Sequence, residues 1–188
     1  MSNDHHEENF IQKYVFSVDH KVIGLQYGVT SLLFLLFGFL LMAIMRYQLA
    51  YPEQVIPYIG NWIFSESGGV MLPENYNTLG AMHGTIMIFL GVVPLAVGAF
   101  GNYLVPLQIG APDMAFPKLN AASYWSYFVG GVIMIASFFT PEGAARSGWT
   151  SYPPLSIFES GQTMWLISMI FLITSSLLGS MNIIVTIV

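Results

Sequence analysis

Residues 22–45 read VIGLQYGVTSLLFLLFGFLLMAIM, an unbroken stretch without a charged side chain, bounded by Lys21 and Arg46. A helix that crosses the hydrocarbon core of a bilayer needs about 20 predominantly apolar residues. The LLFLLFGFLLMAIM run is apolar on every face, as a helix in lipid or deep inside a bundle is. Moving outward, the charged residues cluster and leave three further uncharged windows, at 75–112, 119–141 and 160–188, each long enough for one span. The expected fold class is therefore all-α integral membrane, with four transmembrane helices at about 22–45, 79–104, 119–140 and 163–188. An N-terminal segment, 1–21, precedes a bundle portion, 22–188.

Composition supports this and removes other classes. Of 188 residues 55% are hydrophobic and 8% charged, where a soluble domain carries about 25% charged residues. Five Lys and Arg against ten Asp and Glu, scattered along the chain, leave no electrostatic footprint for nucleic acid. The absence of Cys excludes disulfide scaffolds, zinc–thiolate and iron–sulfur sites and a Cys nucleophile. The opening MSNDHHEENFIQKYVFSVDHKVIG is polar and acidic, without the short apolar region and small-residue cleavage site of a signal peptide, so the first span is expected to direct insertion.

Between the spans lie segments rich in Pro, Gly and aromatic residues. Trp62 and Phe64 suggest that the first long loop folds back onto the membrane surface. Pro94 is expected to kink the second span and free a backbone carbonyl. Lys13, Lys21 and Lys118 on one side of the membrane, against Arg46 and Arg146 on the other, place the N-terminus in the cytoplasm by the positive-inside rule. Tyr14, Phe16, Tyr47, Tyr51, Trp125, Trp149, Tyr152 and Trp165 fall near span ends and are expected to serve mostly as interfacial anchors.

His83 is the only ionisable residue in the window 75–112, and an intramembrane ionisable residue is a functional-site hypothesis by default. A histidine hydrogen-bonded to a neighbouring helix is the plain alternative. Gly80 and Gly84 leave the backbone bare beside the imidazole, so that a flat macrocycle could lie there. They also fit a small-residue packing face continued by Gly91 and Gly98. A neutral imidazole suits haem iron, which in its six-coordinate form takes a second ligand that no other span here supplies as His.

A second constellation is a file of small polar groups on one side of the membrane: Asn102, Asp113, Asn120 and Asn182, with Ser175 and Ser176 about 10 Å deeper at 1.5 Å per residue. Such groups order a water chain, and an acid at its mouth collects protons. Ordinary interhelical hydrogen bonding uses the same residue types. Arg46 closes the first span on the side of His83, where it either snorkels or bonds a polar edge of a haem held by His83.

These residues resemble the N-terminal part of subunit I of the haem–copper cytochrome c oxidases. The matching text is DHKVIGLQY, AMHGTIMIF, GNYLVPLQIGAPDMAFPKLN, GWTSYPPL and SSLLGSMN, in family order across residues 19–182. The resemblance implies the first part of a bundle of about 12 spans, in which electrons pass from cytochrome c, through a copper-bearing subunit II, to a low-spin haem. From there they reach a high-spin haem and copper pair that reduces dioxygen to water while protons are pumped. It assigns His83 as one axial ligand of a low-spin haem A, Arg46 as a contact to the haem edge, and Trp149 and Tyr152 to the propionates. It assigns Asp113 to the mouth of a proton-uptake channel lined by Asn102, Asn120, Ser175, Ser176 and Asn182. No residue of this portion is assigned a catalytic role at the oxygen-reducing centre. It further implies a lipid-embedded complex with other oxidase subunits, possible assembly into a respiratory supercomplex, and a bacterial plasma membrane rather than a mitochondrial inner one.

Some positions depart from the pattern. Lys118 stands where the family usually has Arg, which keeps the charge and loses the planar fork. IGNWIFSESGGVMLPE, residues 59–74, reads as an insertion and takes no role from the resemblance. Quinol oxidases of the same superfamily usually carry Arg where this chain has Pro112, which favours cytochrome c as donor. The remaining ligands belong to later spans, so the chain is expected to be a truncated piece of a longer subunit. A non-redox membrane protein using His83 and Asp113 as a proton or ion pathway, and a packing subunit without chemistry, are the readings from other classes.

Overall fold

The computed structural model describes residues 9–157 and 159–188, with backbone alone at Glu159; residues 1–8 of the expected N-terminal segment lie outside the described residues. A short helix α1 (Phe10–Tyr14) leads into α2 (His20–Ala50), and a loop carrying α3 (Gly60–Ile63) leads to α4 (Pro73–Ile109). Then follow α5 (Pro117–Ala136), extended by a tight turn at Ser137–Phe139, and α6 (Glu159–Ile187). Among the described residues four helices, α2 and α4 to α6, are long and apolar enough to cross a membrane, and no strand occurs.

The helices outrun the uncharged windows because their ends are built by polar chemistry. Asp19 caps α2, its carboxylate accepting from the amides of Lys21 at 2.7 Å and Val22 at 3.4 Å, so the helix begins before the apolar run. Pro73 and Pro117 occupy the first turns of α4 and α5, where a missing N–H costs nothing. Glu142, on the loop before α6, accepts from the backbone N–H of Ser160 at 3.2 Å. Gly110, with φ of 74°, closes α4 in the left-handed region.

Pro94 does not break α4. The helix passes through two wider π-type stretches, Ile86–Val92 and Pro94–Gly101, and a neighbouring helix attends to the backbone around each internal proline. The Tyr127 hydroxyl of α5 donates to the carbonyl of Leu90, four residues before Pro94, at 2.7 Å. His20 Nδ1 of α2 lies 2.9 Å from the carbonyl of Asn102, four residues before Pro106.

Small residues set the helix contacts. A Cβ on Gly91 would stand 2.5 Å from Leu35, and one on Gly98 would stand 2.6 Å from the ring of Tyr27, so this stripe does pack α4 onto α2. α5 and α6 pair closely, with Ser168 Oγ donating to Gly130 O at 2.7 Å and Ser126 Oγ to Phe171 O at 2.8 Å. Tyr27, Tyr124 and Tyr127 join α2 to α5, the rings of Tyr27 and Tyr127 stacked with centroids 5.1 Å apart. The outer faces remain apolar and exposed, as at Leu33, Phe39, Ile170 and Leu177, which suits hydrocarbon or further helices.

Two expected surface aromatics turn inward. Trp165 is buried and its Nε1 donates to Thr85 Oγ1 at 3.4 Å, so it joins α6 to α4 instead of anchoring an interface. Phe64 is buried in the core of its own loop, while Trp62 of the same loop is exposed.

Candidate functional site

His83 sits ten residues into α4 and half-buried. Its Nδ1 lies 2.8 Å from the carbonyl of Gly38 on α2. A carbonyl only accepts, so Nδ1 carries a hydrogen, and Nε2 is the ring nitrogen whose lone pair a neutral imidazole would offer to a metal. The approach depends on Gly38, where a Cβ would stand 2.8 Å from Met87 Sδ. Histidines that ligate metals characteristically donate their other N–H to such a fixed acceptor.

The glycines beside His83 divide between the two expected roles. A Cβ on Gly80 would meet Met45 Cε at 3.2 Å, so Gly80 packs; one on Gly84 would meet nothing within 4 Å, so Gly84 borders open space. Among the described residues no group of three or more His, Asp or Glu is placed to hold a metal ion. His83 is thus a single donor beside bare backbone, a set that fits one axial position of a macrocycle-bound iron and not a metal cluster held by side chains.

Arg46, eight residues after Gly38 on α2, is exposed and makes no hydrogen bond or ion pair among the described residues. Trp149 and Tyr152 are exposed on the loop between α5 and α6 at the same end of the bundle. Gln162 clamps that loop on either side of Trp149, accepting from Ser147 Oγ at 2.9 Å and donating to Ser151 Oγ at 2.8 Å. Arg146 ties it to Glu74 in the first turn of α4 at 3.3 Å, so the loop and the helix carrying His83 are held together. The structure brings none of Arg46, Trp149 or Tyr152 into contact with His83.

At the opposite end, where α2 begins, the polar file is partly connected. Ser123 Oγ donates to Asn120 O at 2.8 Å, and Ser175 Oγ donates to Ser123 O at 2.7 Å. Tyr27 OH stands 3.0 Å from both serine oxygens. Both serine hydrogens are directed at carbonyls, so the single hydrogen of Tyr27 serves either serine but not both at once. Asn120 is fully buried, yet neither its Nδ2 nor its Oδ1 has a partner, and Asn102 Oδ1 is likewise unpartnered while its Nδ2 donates to Gly98 O at 2.6 Å. Buried polar atoms left open in this way are sites for ordered water.

The remaining members differ. Asn182 is committed to structure, its Oδ1 accepting from Phe116 N at 2.9 Å and its Nδ2 donating to Phe116 O at 3.2 Å. It pins the connection that carries Asp113, helped by Thr186 Oγ1, which accepts from Ala115 N at 3.0 Å. Asp113 is half-buried and accepts from Met114 N at 2.7 Å. Ser176 is exposed and outside the hydrogen-bonded set, but with Ser175, Tyr27 and Asn102 it lines a cleft of about 440 Å³ between α4 and α6. Tyr27 and Ser123 were not singled out by the sequence. The available signal was spacing: Ser123 lies three residues beyond Asn120, and Tyr27 seven beyond His20, on shared helix faces.

Comparison with known proteins bears on this pair of sites. The family model described as Cytochrome C and Quinol oxidase polypeptide I matches residues 22–188. The chain is 49% identical over 176 residues to a cytochrome c oxidase subunit 1 of Thermostichus vulcanus, covering 93% of this chain and 29% of that protein. It is 44% identical over 189 residues to a cytochrome c oxidase subunit 1 of Synechocystis, covering 100% of this chain and 31% of that one. A haem–copper oxidase subunit I+III of Aeropyrum pernix is 41% identical over 182 residues, 95% of this chain and 20% of that protein. The chain thus spans less than a third of the length of these relatives. With four helices long and apolar enough to span a membrane, a family-model match over residues 22–188 and relatives up to 49% identical, the chain belongs to the cytochrome c and quinol oxidase polypeptide I family, the haem–copper oxidases.

Proposed function

We propose that the chain is the N-terminal part of the catalytic subunit of a proton-pumping terminal oxidase that passes electrons from cytochrome c to dioxygen. His83 Nε2 would hold one axial position of a low-spin haem A, with the high-spin haem, copper and second axial ligand supplied by the rest of the subunit. The assignment is supported by the 2.8 Å contact from His83 Nδ1 to Gly38 O, which commits that nitrogen to the neighbouring helix and leaves Nε2 as the nitrogen able to bind iron. Bound there, the haem would take up and release one electron at a time. Arg46, with no partner among the described residues, is available to a polar haem edge, and the loop held by Gln162 presents Trp149 and Tyr152 at the same end.

Asp113, Asn102, Asn120, Ser175, Ser176 and Asn182, joined by Tyr27 and Ser123, form the entrance of a proton-uptake path, with the N-terminus on the cytoplasmic side. Asp113 gathers protons at the surface. The open atoms of Asn102 and Asn120 hold water, and the Tyr27 hydroxyl passes a hydrogen between two serines. Asn182 keeps Asp113 in place. The complex would include a copper-bearing subunit II and sit in a bacterial plasma membrane, within a respiratory supercomplex where one forms.

The donor is tested on the complete oxidase. Oxygen uptake driven by reduced cytochrome c and not by a quinol is expected, with haem A recovered on extraction. Uptake from quinol alone would transfer the chain to the quinol branch that the family description also covers. In the same complex Asp113→Asn is expected to leave the haem spectrum intact and slow turnover about tenfold, since a fixed charge at a cleft mouth raises local ion capture by about 10-fold or more. Unchanged turnover and proton release would remove Asp113 from the path.

A further inference from the structure

We propose that Gln162 is a positioning residue for the haem-side loop between α5 and α6. By gripping that loop on both sides of Trp149, it holds the Trp149 indole N–H and the Tyr152 hydroxyl as fixed donors toward the carboxylate edge of a bound haem, and thereby raises that haem's potential. The proposal rests on the haem assignment above and adds the residue that sets the geometry of the loop.

Residues 140–152, TPEGAARSGWTSY, contain little that could build a core of their own. Short polar ties fix them instead. Thr140 Oγ1 donates to Gly143 O at 2.6 Å, and Glu142 Oε2 accepts from Ser160 N and Oγ at 3.2 and 3.1 Å. Ala144 and Ala145 are buried, and a Cβ on Gly161 of α6 would collide with Gly143 O and crowd the backbone of Ala144. Arg146 Nη1 reaches Glu74 Oε2 at 3.3 Å, nine residues before His83 on α4. Beyond Arg146 the tie to α6 is made by Gln162, buried in the first turn of that helix. Its Oε1 accepts from Ser147 Oγ at 2.9 Å and its Nε2 donates to Ser151 Oγ at 2.8 Å. One acceptor and one donor on a single uncharged side chain is what an amide supplies.

Between the two gripped serines the backbone is not relaxed. Gly148 has φ of 68° and Ser151 φ of 55°, so left-handed residues flank the Trp149–Thr150 pair. Glycine takes that conformation freely, whereas a Cβ disfavours it. A strained residue of this kind persists where its surroundings over-determine it, and it points to a function for the shape it enforces. For Ser151 the constraints are Gln162 Nε2 on its Oγ and the turn bond from its N to Gly148 O at 3.3 Å.

The clamped loop offers hydrogen-bond donors. The indole N–H of Trp149 only donates and the Tyr152 hydroxyl is able to donate, and both side chains are exposed at the His83 end of the bundle. A haem carries carboxylate substituents, whose negative charge favours the oxidised iron. Donors fixed against them spread that charge and shift the balance toward the reduced iron, as hydrogen bonds and local charge do at haem centres generally. A donor that wanders loses this effect, because water then competes for the same carboxylate.

The test is a redox titration of the haems in the purified complete oxidase. Gln162→Leu is close in size and lacks both hydrogen bonds; Ser151→Gly removes the gripped oxygen and relaxes the backbone. Each is expected to lower the potential of one haem by about 59 mV, a tenfold change in its oxidised-to-reduced ratio. Haem content is expected to stay at the wild-type level and amide hydrogen exchange at Trp149–Ser151 to quicken. Thermal stability should fall in Gln162→Leu and hold in Ser151→Gly, since glycine is at ease at that φ. A lowered potential at full stability is what a merely structural clamp does not produce. Trp149→Phe is expected to lower the same potential, with Gln162→Leu adding little to it, because the two act through one donor. Unchanged potentials in Gln162→Leu and Ser151→Gly overturn the proposal, and so does a Gln162→Leu shift that adds in full to that of Trp149→Phe. If Gln162→Leu does not assemble, Ser151→Gly carries the same comparison. Trp149→Phe and Tyr152→Phe with both haem potentials untouched overturn the haem-side placement of the loop and this proposal with it. A lowered potential in those two variants, with none in Gln162→Leu or Ser151→Gly, overturns this proposal alone.

Discussion

His83→Ala in the complete oxidase is expected to abolish the low-spin haem absorption and to lower turnover by about a hundredfold or more. Losing only an outer-shell partner of a metal-bound histidine typically costs about 10-fold to 100-fold, and this substitution removes the ligand atom itself. The fold should survive, because His83 is half-buried and its one hydrogen bond, to Gly38 O, contributes about 0.5–1.5 kcal/mol. Ligand loss is separable from a general disturbance with His83→Gly, in which added imidazole is expected to restore the band by occupying the space the side chain vacates and donating to Gly38 O in its place. A low-spin band of unchanged position and intensity in His83→Ala would show that another group holds the iron. His83 would then return to being an interhelical hydrogen-bonding residue.

The spans were legible because hydrocarbon enforces a criterion, the absence of charge over some 20 residues, that any correct sequence must meet. Their ends were less so. α4 begins at Pro73, outside the uncharged window, because PENYNT is a polar turn nucleated by a first-turn proline, and Glu74 reads equally well as loop. His83 was visible as a lone ionisable group, yet what makes it chemically specific was not. The fixed Nδ1–H needs a carbonyl 45 residues away, brought near only because Gly38 lets α4 approach α2.

The polar file shows the same limit. Asn102, Asn120 and Ser175 stand out as polar groups near or in apolar spans, but Tyr27 hides in one, since a tyrosine ring counts as apolar in any hydropathy window. Its hydroxyl meets serines 96 and 148 residues away. Asn182 illustrates the converse, for it is conspicuous in sequence and turns out to clamp backbone. Trp165 and Phe64 were misplaced for a related reason: aromatic residues near span ends serve both interfaces and cores, and only packing decides between them.

The coupling between packing and the proton path gives the second large effect, at Gly98. A methyl added there would stand 2.6, 2.8 and 2.9 Å from Cδ1, Cγ and Cε1 of the Tyr27 ring. Turning the ring about its Cβ–Cγ bond leaves Cγ where it is, so the contact is relieved only if χ1 swings the ring away or the α2–α4 spacing widens, and either moves the Tyr27 hydroxyl. Overpacking of this kind costs about 1–3 kcal/mol. A shift of even half an ångström lengthens the 3.0 Å contacts from Tyr27 OH to Ser123 and Ser175, which are already near the limit for an O–H···O bond. Gly98→Ala is therefore expected to lower thermal stability and slow proton uptake about tenfold, with the haem spectrum unchanged because His83 lies four turns away along α4. Tyr27→Phe separates the two consequences. It removes the hydroxyl without crowding Gly98, so it should slow proton uptake similarly at little cost in stability. If Gly98→Ala loses stability but keeps full proton uptake, the Tyr27 hydroxyl is a structural tie between α2, α5 and α6, and the path runs instead through water in the cleft lined by Ser175, Ser176 and Asn102.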